Sequence, residues 1–170
     1  KSGSTLETDS LYRYYWEKCC SNAAQFAAIT DPGSSLATTS VARGLRQIFL
    51  NPADIGGRYS ALSYFGLVPA ALVGIDVATL LAGARRMAAA CGEGLPASRN
   101  PGAWLGAVLG EAWSAGRDKL TFALSPGVAS YGLWAEQLVA ESTGKEGRGI
   151  LPVAGENPLD YAVAFKYALS

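Results

Sequence analysis

Three short stretches gather the residue types that anion binding and acid–base chemistry require. The first is "KSGSTLET", where a lysine, a glycine and small hydroxyls crowd together ahead of a helix-like segment. Backbone N–H groups at a helix N-terminus carry partial positive charge and suit a phosphate. The same residues also read as an ordinary capped helix start, with Ser4 or Thr5 as N-cap and Glu7 in the first turn. The second stretch, "IGGRYSALS" (55–63), sets two glycines before Arg58 and a hydroxyl-rich helix start. Glycines permit close backbone approach, and an arginine held there can stabilise negative charge developing on a substrate oxygen. A salt bridge beside a tight turn accounts for it equally well. In the third, "EQLVAESTGK" (136–145), Gln137 and Glu141 are four apart and share one helix face. Glu141 falls near the helix C-terminus, where the dipole favours proton uptake, as a general base needs. A solvated glutamate before a Ser-Thr-Gly turn is the plainer reading.

Composition removes several other chemistries. The chain has 170 residues, 49% of them hydrophobic and 16% charged, enough to fill a core. Lys plus Arg equals Asp plus Glu at 14 each, so net charge gives no reason to expect nucleic acid or an acidic membrane as partner. No apolar run reaches membrane-spanning length. The chain has no histidine, which excludes Ser-His-Asp and Cys-His machinery from these residues and most zinc chemistry with them; no metal site is expected. Three cysteines, with Cys19 and Cys20 adjacent on an expected helix, fit a reduced, cytoplasmic compartment better than a disulfide framework. Two nucleotide-like strings lack their context. "GEGLPA" (92–97) follows a helix and contains Pro96, and "TGKEG" (143–147) lacks both the upstream glycine and the hydroxyl residue of a P-loop.

The elements that must position these residues alternate in type. Helical periodicity is expected over 5–22, weakly over 34–45, from Gly57 to about 73, through a stripe of Val77, Leu80, Leu81, Ala84, Met87 and Ala88, from Pro101 with Trp104, Leu105, Val108, Leu109 and Ala112 on the buried face, and over 130–142. Short strands are expected at "QFAAIT", "RQIFLN", "DKLTFALS" and "GILPV". Short strands alternating with amphipathic helices predict an α/β layered fold with a parallel sheet.

The three stretches, in this order and at about this spacing, resemble glucose-6-phosphate isomerases. The "YFGLVPAAL" and "WAEQLVAESTGKEGRGILPV" segments look most like the branch in which the isomerase is fused behind a transaldolase. Tyr64 and Phe65 depart from the commonest residues after the Gly-Gly-Arg-Tyr-Ser core. The resemblance implies a three-layer α-β-α sugar-isomerase (SIS) fold, flavodoxin-like and incomplete at both ends. Residues 1–50 would be the second half of one SIS subdomain and 51–170 part of the other. It implies reversible interconversion of glucose 6-phosphate and fructose 6-phosphate in the cytoplasm, by a homodimer as the full-length protein, without metal or organic cofactor. By the same resemblance Lys1, Ser2 and Thr5 hold the sugar's phosphate. Arg58 stabilises a cis-enediolate, Glu141 moves the proton between C1 and C2, and Gln137 contacts the bound sugar phosphate. A further serine is expected before Lys1, and the ring-opening histidine and lysine outside the chain. The alternative is a SIS-type module that binds a phosphosugar without chemistry, which would have no use for Arg58 and Glu141 together.

Overall fold

The computed structural model describes Gly3 and residues 5–156, and its chain divides into two compact units, 1–83 and 84–170. In the first, helix α1 (Leu6–Lys18) leads to strand β1 (Ala27–Thr30), helix α2 (Ser35–Ala42) and strand β2 (Gln47–Leu50). β1 and β2 pair in parallel with Ala27 opposite Gln47 and Thr30 opposite Leu50, so α2 is the crossover of a βαβ unit. Ser34 caps α2 by accepting from the Ala37 N–H at 3.1 Å, and Asp31-Pro32-Gly33 forms the turn between strand and helix, with Gly33 at φ +72°.

The helix expected from Gly57 onward is instead two pieces. A 3₁₀ turn covers Gly57–Leu62, and helix α3 (Tyr64–Leu72) starts afresh after Ser63, whose backbone is extended (φ −102°, ψ −172°). Ser63 is the reason for the break, because its hydroxyl accepts from the Phe65 N–H at 3.3 Å and caps the new helix. Helix α1 likewise ends at Lys18 and does not run to residue 22, because Cys20 and Ser21 turn left-handed. Helix α4 (Val77–Ala90) follows, and the division between the two units falls within it.

The second unit repeats the scheme. After helix α5 (Pro101–Ser114), capped by Asn100, strand β3 (Lys119–Phe122), helix α6 (Tyr131–Thr143) and strand β4 (Leu151–Ala154) form a second parallel βαβ unit. Its register sets Lys119 opposite Leu151 and Phe122 opposite Ala154. Pro152, which has no N–H, is tolerated because among the described residues β4 is an edge strand. The expected α/β class and parallel pairing are therefore present.

The expected core is not. Among the described residues the buried hydrophobic side chains are the small Ala28, Ala37 and Ala135. The α5 residues Trp104, Leu105 and Val108, expected on a buried face, are exposed, Trp104 by 59%. Leu80 and Met87 of the α4 stripe are exposed as well. Helical periodicity marks an apolar face, and only packing decides whether something covers it.

Candidate functional site

The opening loop meets the first unit through glycine. Gly3 has φ +72°, and a Cβ added there would lie 2.5 Å from the Leu36 Cβ, in the first turn of α2. Only glycine allows that approach. Thr5 is the N-cap of α1, accepting from the Thr8 N–H at 3.5 Å and sharing a 2.9 Å hydroxyl contact with Thr8. The capped-helix reading of this stretch is thus realised, with Thr5 as cap and Glu7 and Asp9 in the first turn. Lys1, Ser2 and Ser4 lie outside the described residues. Beside Gly3 a cleft of about 310 Å³ runs between α1 and α2, lined among others by Thr8, Arg13, Thr39 and Arg43. Arg13 donates to Asp9 at 2.7 Å, while Arg43 stacks over the Trp16 ring (4.6 Å) and donates to the Tyr12 hydroxyl at 2.8 Å.

Arg58 lies in the 3₁₀ turn that follows β2. It is half-buried, and its guanidinium sits 4.9 Å from the centroid of the Tyr59 ring. The preceding glycines stay on the ordinary side of the backbone map. Among the described residues an added Cβ at Gly57 would meet nothing within 4 Å, and at Gly56 it would touch the Tyr59 ring at 3.4 Å. The close backbone approach that the glycine pair suggested is therefore not made to a described protein atom at Gly57. What anchors this turn is Asn51, a residue that sequence reasoning missed. It is fully buried (0% exposed); its side-chain carbonyl accepts from the Tyr64 N–H at 3.2 Å, and its own N–H donates to the Thr30 carbonyl at 2.8 Å. It thus ties the end of β2 both to β1 and to the start of α3, holding the ends of the segment that carries Arg58. An asparagine directly after the apolar run "IFL" was the only signal available.

Gly3 packs on the first turn of α2, just past the carboxyl end of β1, and Arg58 follows the carboxyl end of β2. The structure therefore brings loop and arginine to the same end of one parallel sheet, where ligands of open α/β sheets bind.

Gln137 and Glu141 belong to the second unit, on α6. The inner face of that helix is set by Gly132 and Ala135 (2% exposed), with a Cβ at Gly132 only 2.7 Å from the Ala154 Cβ of β4. At 3.6 residues per turn, positions 137 and 141 then point away from the sheet, and both are exposed. They share a face, as their spacing implies. Two further contacts fix the helix. Glu136, another residue not foreseen, accepts from the Ala154 N–H at 2.7 Å, and Thr143 accepts from the Ile150 N–H at 3.0 Å. The Lys145 ammonium donates to the Glu141 carbonyl at 3.0 Å, a cation at the negative end of the helix. Because α6 returns from β3 to β4, Glu141 stands at the end leading into β4 and away from the carboxyl ends of those strands.

Two parallel βαβ units place the chain among the α/β proteins with parallel strand pairing. No protein-family model matches it. Named relatives do. The chain is 38% identical to a glucose-6-phosphate isomerase of Symbiobacterium thermophilum over 128 residues, which is 69% of this chain and 28% of that protein. It is 31% identical to one of Parabacteroides distasonis over 162 residues, 91% of this chain and 36% of that protein. It is 34% identical to one of Rubrobacter xylanophilus over 165 residues, 89% of this chain and 37% of that protein. Over these shared segments the chain belongs with the glucose-6-phosphate isomerases, and it spans about a third of the length of the curated relatives it matches.

Proposed function

We propose that this chain carries part of the active site of an aldose–ketose isomerase that interconverts glucose 6-phosphate and fructose 6-phosphate through a cis-enediolate. The observation that carries the reading is the extent of the similarity. The similarity to one of these isomerases takes in 91% of the chain. In this reading Lys1, Ser2 and Thr5 hold the phosphate at the positive end of α1. Binding energy from that non-reacting group positions C1 and C2 for reaction. Glu141 takes the proton from one carbon and returns it to the other, Arg58 faces the negative oxygen of the enediolate, and Gln137 contacts the sugar phosphate. Supporting it, the loop and Arg58 share one end of a sheet, and among the described residues a Cβ at Gly57 would meet nothing within 4 Å. Proton transfer and charge stabilisation suffice for the reaction, so it calls on no metal or organic cofactor. The same proposal takes the whole enzyme to be a cytoplasmic homodimer, with 1–50 and 51–170 as parts of its two SIS subdomains. Among the described residues no helix is long and apolar enough to cross a membrane.

The deciding experiment replaces Glu141 with glutamine in the whole enzyme. The shape is kept and the proton acceptor is lost, so turnover should fall by about 10²- to 10⁴-fold while phosphosugar binding survives. Wild-type turnover in that variant would remove Glu141 as the base. Loss of activity confined to phosphosugar binding would favour a binding role for this face of α6.

A further inference from the structure

The adjacent cysteines at the end of α1 have no part in the isomerase reading, and the turn that holds them is unusual. The Ser21 N–H donates to the Trp16 carbonyl at 2.8 Å and the Cys20 N–H to the Glu17 carbonyl at 3.1 Å. This is a Schellman ending, in which the residue after the cap is left-handed and is usually glycine. Here that residue is Cys20, at φ +51°, followed by Ser21 at φ +57°. A non-glycine residue in this conformation costs about 1–2 kcal/mol. Both thiols are free; Cys20 is exposed and Cys19 half-buried.

Two cysteines joined by one trans peptide have Cα atoms ~3.8 Å apart. That is closer than the ~4.4–6.8 Å of ordinary disulfides, so a direct S–S bond between them is strained. A larger atom inserted between the two sulfurs removes that strain, and soft thiolates select soft elements. We propose that Cys19 and Cys20 form a dithiol site for a soft, thiophilic metal or metalloid centre, with trivalent arsenic as the form that tests it. With an aryl arsenoxide, both thiol protons leave with the arsenic-bound oxygen as water, and two As–S bonds form. Arsenic remains trivalent and no oxidant is consumed.

The probe is phenylarsine oxide, added to the reduced 170-residue chain and followed by intact mass. The expected result is one adduct that survives excess 2-mercaptoethanol and is removed by 2,3-dimercaptopropanol. Two linked sulfurs should hold the probe about 10²-fold more tightly than one. Cys19→Ser and Cys20→Gly should therefore lose the resistant adduct, while Cys91→Ser keeps it. Glycine suits the left-handed position, so Cys20→Gly removes the sulfur without disturbing the turn, and circular dichroism matched to wild type verifies this. An adduct stripped by the monothiol overturns the site. So does one undiminished in Cys20→Gly, or one lost in Cys91→Ser.

Discussion

Arg58 is half-buried with its charge over the Tyr59 ring, whereas Glu141 and Gln137 stand in solvent on an outward helix face. Their surroundings set what each substitution reports. Arg58→Lys keeps the charge but loses the planar fork and its stacking on the aromatic face. If the guanidinium stabilises charge that develops only in the transition state, the loss in the whole enzyme should fall on kcat, by about 10²-fold or more. Steady-state kinetics with fructose 6-phosphate makes the distinction. A change confined to KM would mean ordinary ground-state binding, and a change confined to thermal stability would make Arg58 a structural arginine.

Two elements depend on a single residue in ways that opposite outcomes can separate. α4 is capped by the preceding Asp76, whose carboxylate accepts from the Ala78 and Thr79 N–H groups at 3.0 and 3.1 Å and from the Thr79 hydroxyl at 2.6 Å. These bonds, the Thr79 hydroxyl foremost, hold the Asp76 carboxyl below the usual carboxylate range. A folded-state value below the unfolded one adds stability that is complete above the unfolded value and is lost as pH falls through the folded one. Asp76→Asn keeps the cap geometry and removes the titration. In acid titrations followed by far-ultraviolet circular dichroism, wild type should lose α4 helicity on acidification by a step that the variant lacks. Coincident titration curves would show that the cap charge contributes nothing. α6 depends on Gly132. In an open helix Gly→Ala stabilises by about 1 kcal/mol. At 2.7 Å from the Ala154 Cβ the added methyl instead overpacks, at about 1–3 kcal/mol. Gly132→Ala should therefore lower the urea midpoint, and a raised midpoint would mean that β4 yields freely.

At the scale of the molecule, the exposed apolar faces dominate. Leu72 is 82% exposed at the end of α3, and Trp104, Leu105 and Val108 present a second such surface on α5. Large contiguous apolar surface drives association. The 170-residue chain on its own should sediment with an average mass that rises with concentration, and a constant monomer mass would contradict this. It should also be a poor isomerase, because Glu141 and Gln137 lie open to water. Misplacement of reacting groups by about 1 Å can cost on the order of 10²-fold. In a coupled assay, activity within about tenfold of the whole enzyme, a barrier difference near 1.4 kcal/mol, would show the site to be complete here.

What the sequence determined by itself was local. Thr5, one of the two caps expected for the first helix, caps it because a side-chain oxygen three residues ahead of a free N–H is a property of the chain alone. Four strands are expected at "QFAAIT", "RQIFLN", "DKLTFALS" and "GILPV" from short apolar runs bounded by turn residues, and strands form within or overlapping each, at 27–30, 47–50, 119–122 and 151–154. The shared face of Gln137 and Glu141 followed from helical spacing. Tertiary structure decided the rest. The break at Ser63 rests on side-chain bonds that periodicity does not encode: its own hydroxyl caps α3, and the buried Asn51 accepts from the Tyr64 N–H. The need for glycine at positions 3 and 132 comes from Leu36 and Ala154, far along the chain. Whether the stripes on α4 and α5 are covered is likewise a matter of packing. Periodicity encodes which face of a helix is apolar, but burial requires a second surface, and that is a property of the assembled fold.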